Sequence, residues 1–318
     1  MMCRTSQPTW MCRTKLWRSF RSLLDHIEFS NGLKAREKVA LNARSRFAGL
    51  LHLGLHFGLI VILALVVMRG GVIGTLAILP LGIAWVFLFS LEHEATHQTP
   101  FENRRVNEWA GQFCGIVLLL PFQWFRYFHL AHHRYTNDPN KDPELLSGVA
   151  PETKRALIWH ASGFPYWMGM SRKIWRNAFG ENRDSYLPAS AKAKVRSEAR
   201  LAVFIYVCVA VFSLFNPVLI WIWVIPVMVG QPFLRVYLLA EHGRCAFVAN
   251  MLENTRTTYT NRIVRFLAWN MPYHIEHHSF PNVPFYNLPK LNELMSTHLR
   301  ETEDGYVKFT ATYYRGLD

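Results

Sequence analysis

The sequence predicts an all-α integral membrane protein: four transmembrane helices in two hairpins, with a helical cap on the cytosolic side. Three observations carry that expectation. Apolar residues, 51% of the 318, gather into runs near the ~20 residues needed to cross a bilayer. Arg and Lys, which leave a formal charge of +13, crowd one side of those runs. Nine of the histidines stand in short clusters at or beyond the charged ends.

Residues 1–46 are basic, with Trp10, Trp17 and Phe20 interleaved, a composition that suits a strip on the cytosolic membrane face or a disordered tail. The membrane domain is expected over 47–290. Its first span covers about Phe47–Met68, the turn Arg69-Gly70-Gly71 follows, and the second span covers about Val72–Leu91. A later apolar block, Leu201–Ala240, is too long for one crossing. The Asn216-Pro217 step divides it into spans of about 201–215 and 217–240. Between the pairs, Phe113–Phe122 is apolar but short and breaks at Pro121, as a re-entrant or interfacial segment does. Trp159, Trp167 and Trp175 among Arg and Lys give 151–190 an interfacial pattern. Residues 291–318 read as a cytosolic C-terminal tail. Basic residues flank the start of span one, the end of span two, the start of span three and the end of span four. Only Arg69 lies in the opposite turns. The positive-inside rule then places both termini and the histidine clusters in the cytosol.

The five cysteines (Cys3, Cys12, Cys114, Cys208, Cys245) form no CxxC pair and suggest no disulfide framework. The first apolar stretch begins too late for a signal peptide. No nucleic-acid motif accompanies the basic charge, so nucleic acid is not an expected partner. Anionic lipid headgroups and an acidic redox protein are.

The histidine clusters are His93-Glu94-Ala95-Thr96-His97, His129-Leu130-Ala131-His132-His133 and His274-Ile275-Glu276-His277-His278, with His242 following span four. Residues three and four apart on a helix share a face, so His93 and His97 can enter one pocket. In each HxxHH cluster the first histidine shares a face with both later ones. Adjacent histidines diverge by about 100° and can serve different metal ions. Neutral imidazoles suit iron, copper, nickel or zinc. Nine exceed what one ion can use, so a di-metal site follows, with iron the choice for oxygen chemistry. Glu92, Glu94, Asp138, Asp142, Glu241 and Glu276 stand close by in sequence. These acids are expected to take the second ring N–H of bound histidines, Glu94, Asp138, Glu241 and Glu276 foremost.

Other readings compete. His93–His97 also fits HExxH, in which two histidines hold zinc and Glu94 acts as base, but such a metalloprotease leaves both HxxHH clusters unexplained. A metal transporter or sensor places ligands at mid-membrane depth, not at the boundary. His52 and His56 read as packing within span one, with a place above the metal layer or on a substrate route as the alternative. His26, His160 and His298 stand alone and read as surface or interfacial.

The boxes HEATH, HLAHH and HIEHH, in this order and with apolar pairs before the first and between the second and third, resemble the membrane fatty acid desaturase and hydroxylase superfamily. The likeness covers about 47–290 and extends to His133-Arg134-Tyr135-Thr136-Asn137-Asp138-Pro139 and Ser279-Phe280-Pro281-Asn282-Val283-Pro284. It implies a di-iron centre ligated by His93, His97, His129, His132, His133, His242, His274, His277 and His278, with O2 as co-substrate and a lipid as substrate. Desaturation is the favoured outcome, and hydroxylation, of an aminolipid or carotenoid for example, is the alternative. Where animal acyl-CoA desaturases carry Asn four residues before the extra histidine, this chain has Leu238, so finer coordination is not carried over. The absence of an HPGG motif implies a separate electron donor of ferredoxin or cytochrome b5 type. Arg104, Arg105, Arg126, Arg134, Lys141, Lys154 and Arg155 suit its docking or anionic headgroups equally. Trp124, Phe125, Tyr127, Phe128 and Trp269 are candidates for lining a substrate channel, or simple packing.

Overall fold

A computed structural model describes residues 25–148 and 150–318. Trp10, Trp17 and Phe20, with Cys3 and Cys12, lie outside them. Two short helices, α1 (His26–Gly32) and α2 (Ala35–Asn42), precede span one, α3 (Ala48–Arg69). Gly70 and Gly71, with φ of 73° and 67°, turn the chain into α4 (Gly71–Val86), and α5 (Leu88–Thr96) continues it. Then come α6 (Arg104–Leu118), α7 (Phe122–Tyr135), α8 (Pro143–Ser147), α9 (Lys154–Ala161) and α10 (Phe164–Phe179). The third long helix is α11 (Ala189–Phe215); a π-helical turn (Ile220–Val224) leads into α12 (Ile225–His242). The remainder is α13 (Met251–Asn254), β1 (Thr257–Tyr259), α14 (Arg262–Leu267), α15 (His274–Ser279), a 3-10 turn (Phe285–Asn287), α16 (Leu288–Met295), β2 (Thr302–Asp304) and α17 (Tyr306–Arg315).

Four helices are long and apolar enough to cross a bilayer: Ala48–Arg69, Gly71–Thr96, Ala189–Phe215 and Ile220–His242. Leu51, Leu55, Ile62, Leu65, Leu76, Phe204 and Val211 point outward from them, as a lipid-facing surface requires. The third helix begins twelve residues before the expected span, at Ala189. Lys192, Lys194 and Arg196 hide that start from a hydropathy reading, yet Ala191, Val195, Ala199 and Ala202 form a buried stripe through it.

Span four packs chiefly on span two, while span three packs mainly on α10. Glycine explains the first contact. A side-chain carbon on Gly82 would come within 2.1 Å of the Pro226 carbonyl oxygen, and one on Gly230 within 2.3 Å of the Gly82 oxygen. The backbones therefore approach as only small residues permit. This crossing brings together the helix ends that carry His93 and His242.

Phe113–Phe122, expected to be re-entrant or interfacial, holds the corner between α6 and α7, which are bent by 99°. Leu119, with φ of 58°, makes the corner. Helix ends leave carbonyls without partners, and here side chains from other elements supply them. The Tyr206 hydroxyl donates to Ile116 O at 2.9 Å, Trp223 Nε1 to Val117 O at 3.0 Å and the Tyr166 hydroxyl to Leu118 O at 2.6 Å. Such complete pairing is what a backbone break in an apolar medium demands.

Two expectations need correction. The chain is not all-α: β1 pairs in parallel with β2, Thr257 opposite Thr302. And residues 291–318 are packed, not a loose tail. Leu291, Met295, Phe309 and Tyr313 are buried, and Arg256 reaches from beside β1 to lie over the Phe309 ring.

Candidate metal centre

Four elements deliver the clustered histidines to one place. The last turn of α5 carries His93, with His97 as its C-cap; α7 carries His129, His132 and His133; α12 ends on His242; and α15 carries His274, His277 and His278. The rings sort into two groups. In one, His93, His97, His129, His133 and His277 each offer a ring nitrogen, all within 4.8 Å of one another. In the other, His132, His242 and His278 do the same. His274 joins the second group, its Nε2 3.2 Å from that of His242. The adjacent pairs His132/His133 and His277/His278 split between the groups, as their angular offset on a helix requires.

The donor chemistry fits metal ions. Both ring nitrogens of His93, His133 and His277, and Nε2 of His278, are buried without a hydrogen-bond partner among the described residues. An unpaired buried polar group costs roughly 1–3 kcal/mol, so this concentration is unfavourable unless something else binds. Burial, reinforced by neighbouring histidines, pushes His277 and His278 well below the ordinary imidazole range. The rings are therefore neutral and keep lone pairs to donate.

Polar groups behind the rings fix which nitrogen faces inward. His132 Nδ1 donates to Asp142 Oδ1 at 2.9 Å, which turns its Nε2 toward His242, 3.2 Å away. Asp142 is the N-cap of α8, with Pro143 in the first turn. It also accepts the backbone N–H of Asn137 and Glu144. Burial would raise this carboxyl, but the His132 contact and those N–H groups outweigh it and hold it below the usual range. Glu144 Oε2 lies 3.3 Å from the same His132 nitrogen. His278 Nδ1 meets the Thr136 hydroxyl at 3.1 Å, and that hydroxyl donates onward to His132 O. His242 Nδ1 donates to Asn254 O at 3.2 Å.

The four acids singled out from sequence fare differently. Glu94 Oε1 stands 3.5 Å from His277 Nδ1, and Glu241 Oε1 3.5 Å from His274 Nδ1. Glu276 does not face a ring. It accepts from Thr257 and Asn292 instead, tying α15 to β1 and α16. Asp138 is also elsewhere: it caps the Asn140 N–H and lies near Lys141. The acid that holds His132 is Asp142, four residues after Asp138. Sequence reasoning missed Glu144, Thr136 and Asn254. Glu144 left a signal in the Asp-Pro-Glu start of the helix that Asp142 caps, and Thr136 stands in the run that follows the second histidine box.

Glu94 is fully buried behind the His277 ring, accepting from the Thr99 hydroxyl and the Phe285 N–H. A protease base faces the metal-bound water, so this position does not serve that role. His52 and His56 pack. His56 bonds Ala84 O through Nε2 and receives Trp269 Nε1 on Nδ1, and His52 bonds Phe266 O. Of the expected channel aromatics, Phe125 stacks on His129 at 5.5 Å, whereas Trp269 is buried against His52.

Comparison with known proteins supplies a family. A dihydrorhizobitoxine desaturase of Bradyrhizobium elkanii is 27% identical over 75% of this chain and 70% of its own. A chloroplastic omega-6 fatty acid desaturase of Spinacia oleracea is 22% identical over 70% of this chain and 55% of its own. A zeaxanthin 4-ketolase of Chlamydomonas reinhardtii is 25% identical over 65% and 41%. The chain thus spans about half the length of some relatives it matches. A family model for fatty acid desaturases matches residues 70–310, from the turn after span one into α17 and across every histidine of both groups. The chain belongs to the fatty acid desaturase family.

Proposed function

We propose that this protein is a multi-pass membrane enzyme that holds two iron ions on the nine histidines and uses O2 to introduce a double bond into the acyl chain of a lipid. The observation that carries the reading is the division of the histidines into two contiguous groups whose ring nitrogens converge, several of them buried without a partner among the described residues. Iron bound there supplies the redox chemistry with O2 that breaking an unactivated C–H bond requires. The chain's own residues do the positioning. His93, His97, His129, His133 and His277 hold one ion, and His132, His242, His274 and His278 hold the other. Asp142, Thr136 and Asn254 fix the orientation of His132, His278 and His242, and Glu94 and Glu241 stand behind His277 and His274. Phe125, buried against His129 and Phe89, gives the first group an apolar wall, which suits a hydrocarbon and keeps water out.

In this reading the active domain runs from about residue 47 through the packed C-terminal helix. The metal layer and both termini face the cytosol, as the distribution of Arg and Lys favours. Electrons come from a separate acidic donor protein. Arg104, Arg105, Arg134, Lys141, Lys154 and Arg155 are exposed and available to it, while Arg126 is taken by Glu108. The likeness to a protein named as a ketolase favours oxygen insertion as the second reading.

Lipid mass spectrometry of cells with and without the gene tests both. Desaturation yields lipids two hydrogens lighter, hydroxylation lipids one oxygen heavier. His132→Ala abolishes either product. Unchanged lipids on expression, or full product formation by His132→Ala, contradicts the reading.

A further inference from the structure

A second set of buried polar side chains lies outside the metal centre, where the turn between α9 and α10 packs against α12. Gln231 and Arg235 are one helical turn apart and share a face of α12. Gln231 is 1% exposed, and neither its Oε1 nor its Nε2 has a partner among the described residues. The same holds for Arg235 Nε and for His160 Nε2. These groups converge. His160 sits against the Arg235 backbone, the Arg235 guanidinium lies 4.5 Å over the Tyr166 ring, and Gly163 faces Gln231. A side-chain carbon on Gly163 would come within 2.6 Å of Gln231 Cγ and 3.5 Å of Trp167 Nε1.

Tyr166, whose hydroxyl is committed to Leu118 O, fixes the guanidinium from below. Beside the cluster, exposed Trp159 stacks on exposed Phe164 with ring planes 4° apart. Aromatic residues so exposed are typical of headgroup depth. Unpaired polar groups buried at that depth are expensive and mark function by default. Gln231 Nε2 and Arg235 Nε are N–H donors, so the missing partner must offer oxygen acceptors. Glu144 and Glu241 act on Arg235 electrostatically, and each also stands beside a histidine of the second group. The cluster therefore lies next to the reaction site and is distinct from it.

We propose that His160, Trp167, Gln231 and Arg235 bind the oxygen-bearing end of the lipid substrate, a carboxylate or an amide carbonyl, and so anchor the chain that is oxidised. This rests on the lipid-oxidase reading and specifies where the substrate's polar end is held. The shared chemistry is a carbonyl oxygen accepting from Gln231 and the guanidinium; a free fatty acid and an amide-linked lipid both offer it.

The test is equilibrium binding of radiolabelled stearate, octadecanamide and octadecane to the full-length protein in detergent, with bound iron measured on the same samples. The wild-type protein is expected to bind at least one oxygen-bearing probe tenfold or more tighter than octadecane. Preference for stearate identifies a carboxylate, and preference for octadecanamide an amide. Gln231→Leu reduces that advantage about tenfold, leaving iron content and octadecane binding unchanged. Trp167→Phe, a milder change, reduces it several-fold and serves should Gln231→Leu not fold. Equal binding of all three probes by the wild type, or unchanged stearate and octadecanamide binding in the folded variants, overturns the proposal. Weakened stearate or octadecanamide binding by the purified variants, with no oxidised lipid in cells that express the wild type, would instead uphold the site and refute the oxidase.

Discussion

At the corner between α6 and α7, the carbonyls of Ile116, Val117 and Leu118 each receive a side-chain donor from a different element. In the metal centre, the ring nitrogens of His93, His133 and His277 receive none. Both regions are buried, and both bury groups that bond strongly in water. The corner is structural, so every acceptor is matched within the chain. The histidines are the proposed site, and their buried ring nitrogens stay open to a metal ion. The pattern of pairing and non-pairing separates scaffold from centre more sharply than burial does.

The largest effect is expected where scaffold and centre share a contact. Leucine at position 82 has no room against Pro226 and Gly230, and overpacking costs about 1–3 kcal/mol or more. Because His93 and His242 ride on the two helices that meet there, Gly82→Leu is expected to lower the unfolding temperature in detergent and to lose metal from both groups. Retention of both ions by a folded Gly82→Leu protein would break the link between the crossing and the centre.

A smaller effect isolates the centre. Removing a group that orients a metal-bound histidine typically costs about 10–100-fold in metal affinity. Asp142→Asn is therefore expected to weaken metal binding by that factor, while Asp138→Asn leaves it unchanged. Metal titration of the two purified variants distinguishes them, and equal behaviour would remove Asp142 from its assigned role.

That pair also shows what the sequence makes legible. The spacing HxxxH and HxxHH shows which rings share a helix face, and the apolar runs show the long helices. The choice between Asp138 and Asp142 is tertiary. Asp138 spends its carboxylate on the local turn, whereas Asp142 begins α8 and so faces His132. Glu276 shows the same limit, since it lies within a histidine cluster yet accepts from Thr257 and Asn292. The β1–β2 pair is three residues long on each side, too short for any alternation to register. The C-terminal helix looks polar in composition, and only the spacing of Phe309 and Tyr313 betrays its buried face. The donors that complete the α6–α7 corner come from distant helices, and nothing in the local pattern announces them.

The smallest effect isolates the scaffold. Tyr206→Phe leaves the Ile116 carbonyl without its donor; interhelical hydrogen bonds in membranes contribute about 0.6 kcal/mol, up to about 1.7 kcal/mol. The variant is expected to unfold at slightly lower temperature and to keep its full metal content. Loss of metal from a folded Tyr206→Phe protein would show that the corner belongs to the centre after all.

The most direct measurement is the metal content of the purified full-length protein, taken together with that of His277→Ala and His132→Ala. Two iron ions per chain are expected, with His277→Ala weakening the five-histidine position and His132→Ala the other. A single tightly held ion, with one of these substitutions leaving metal content untouched, would contradict a paired centre.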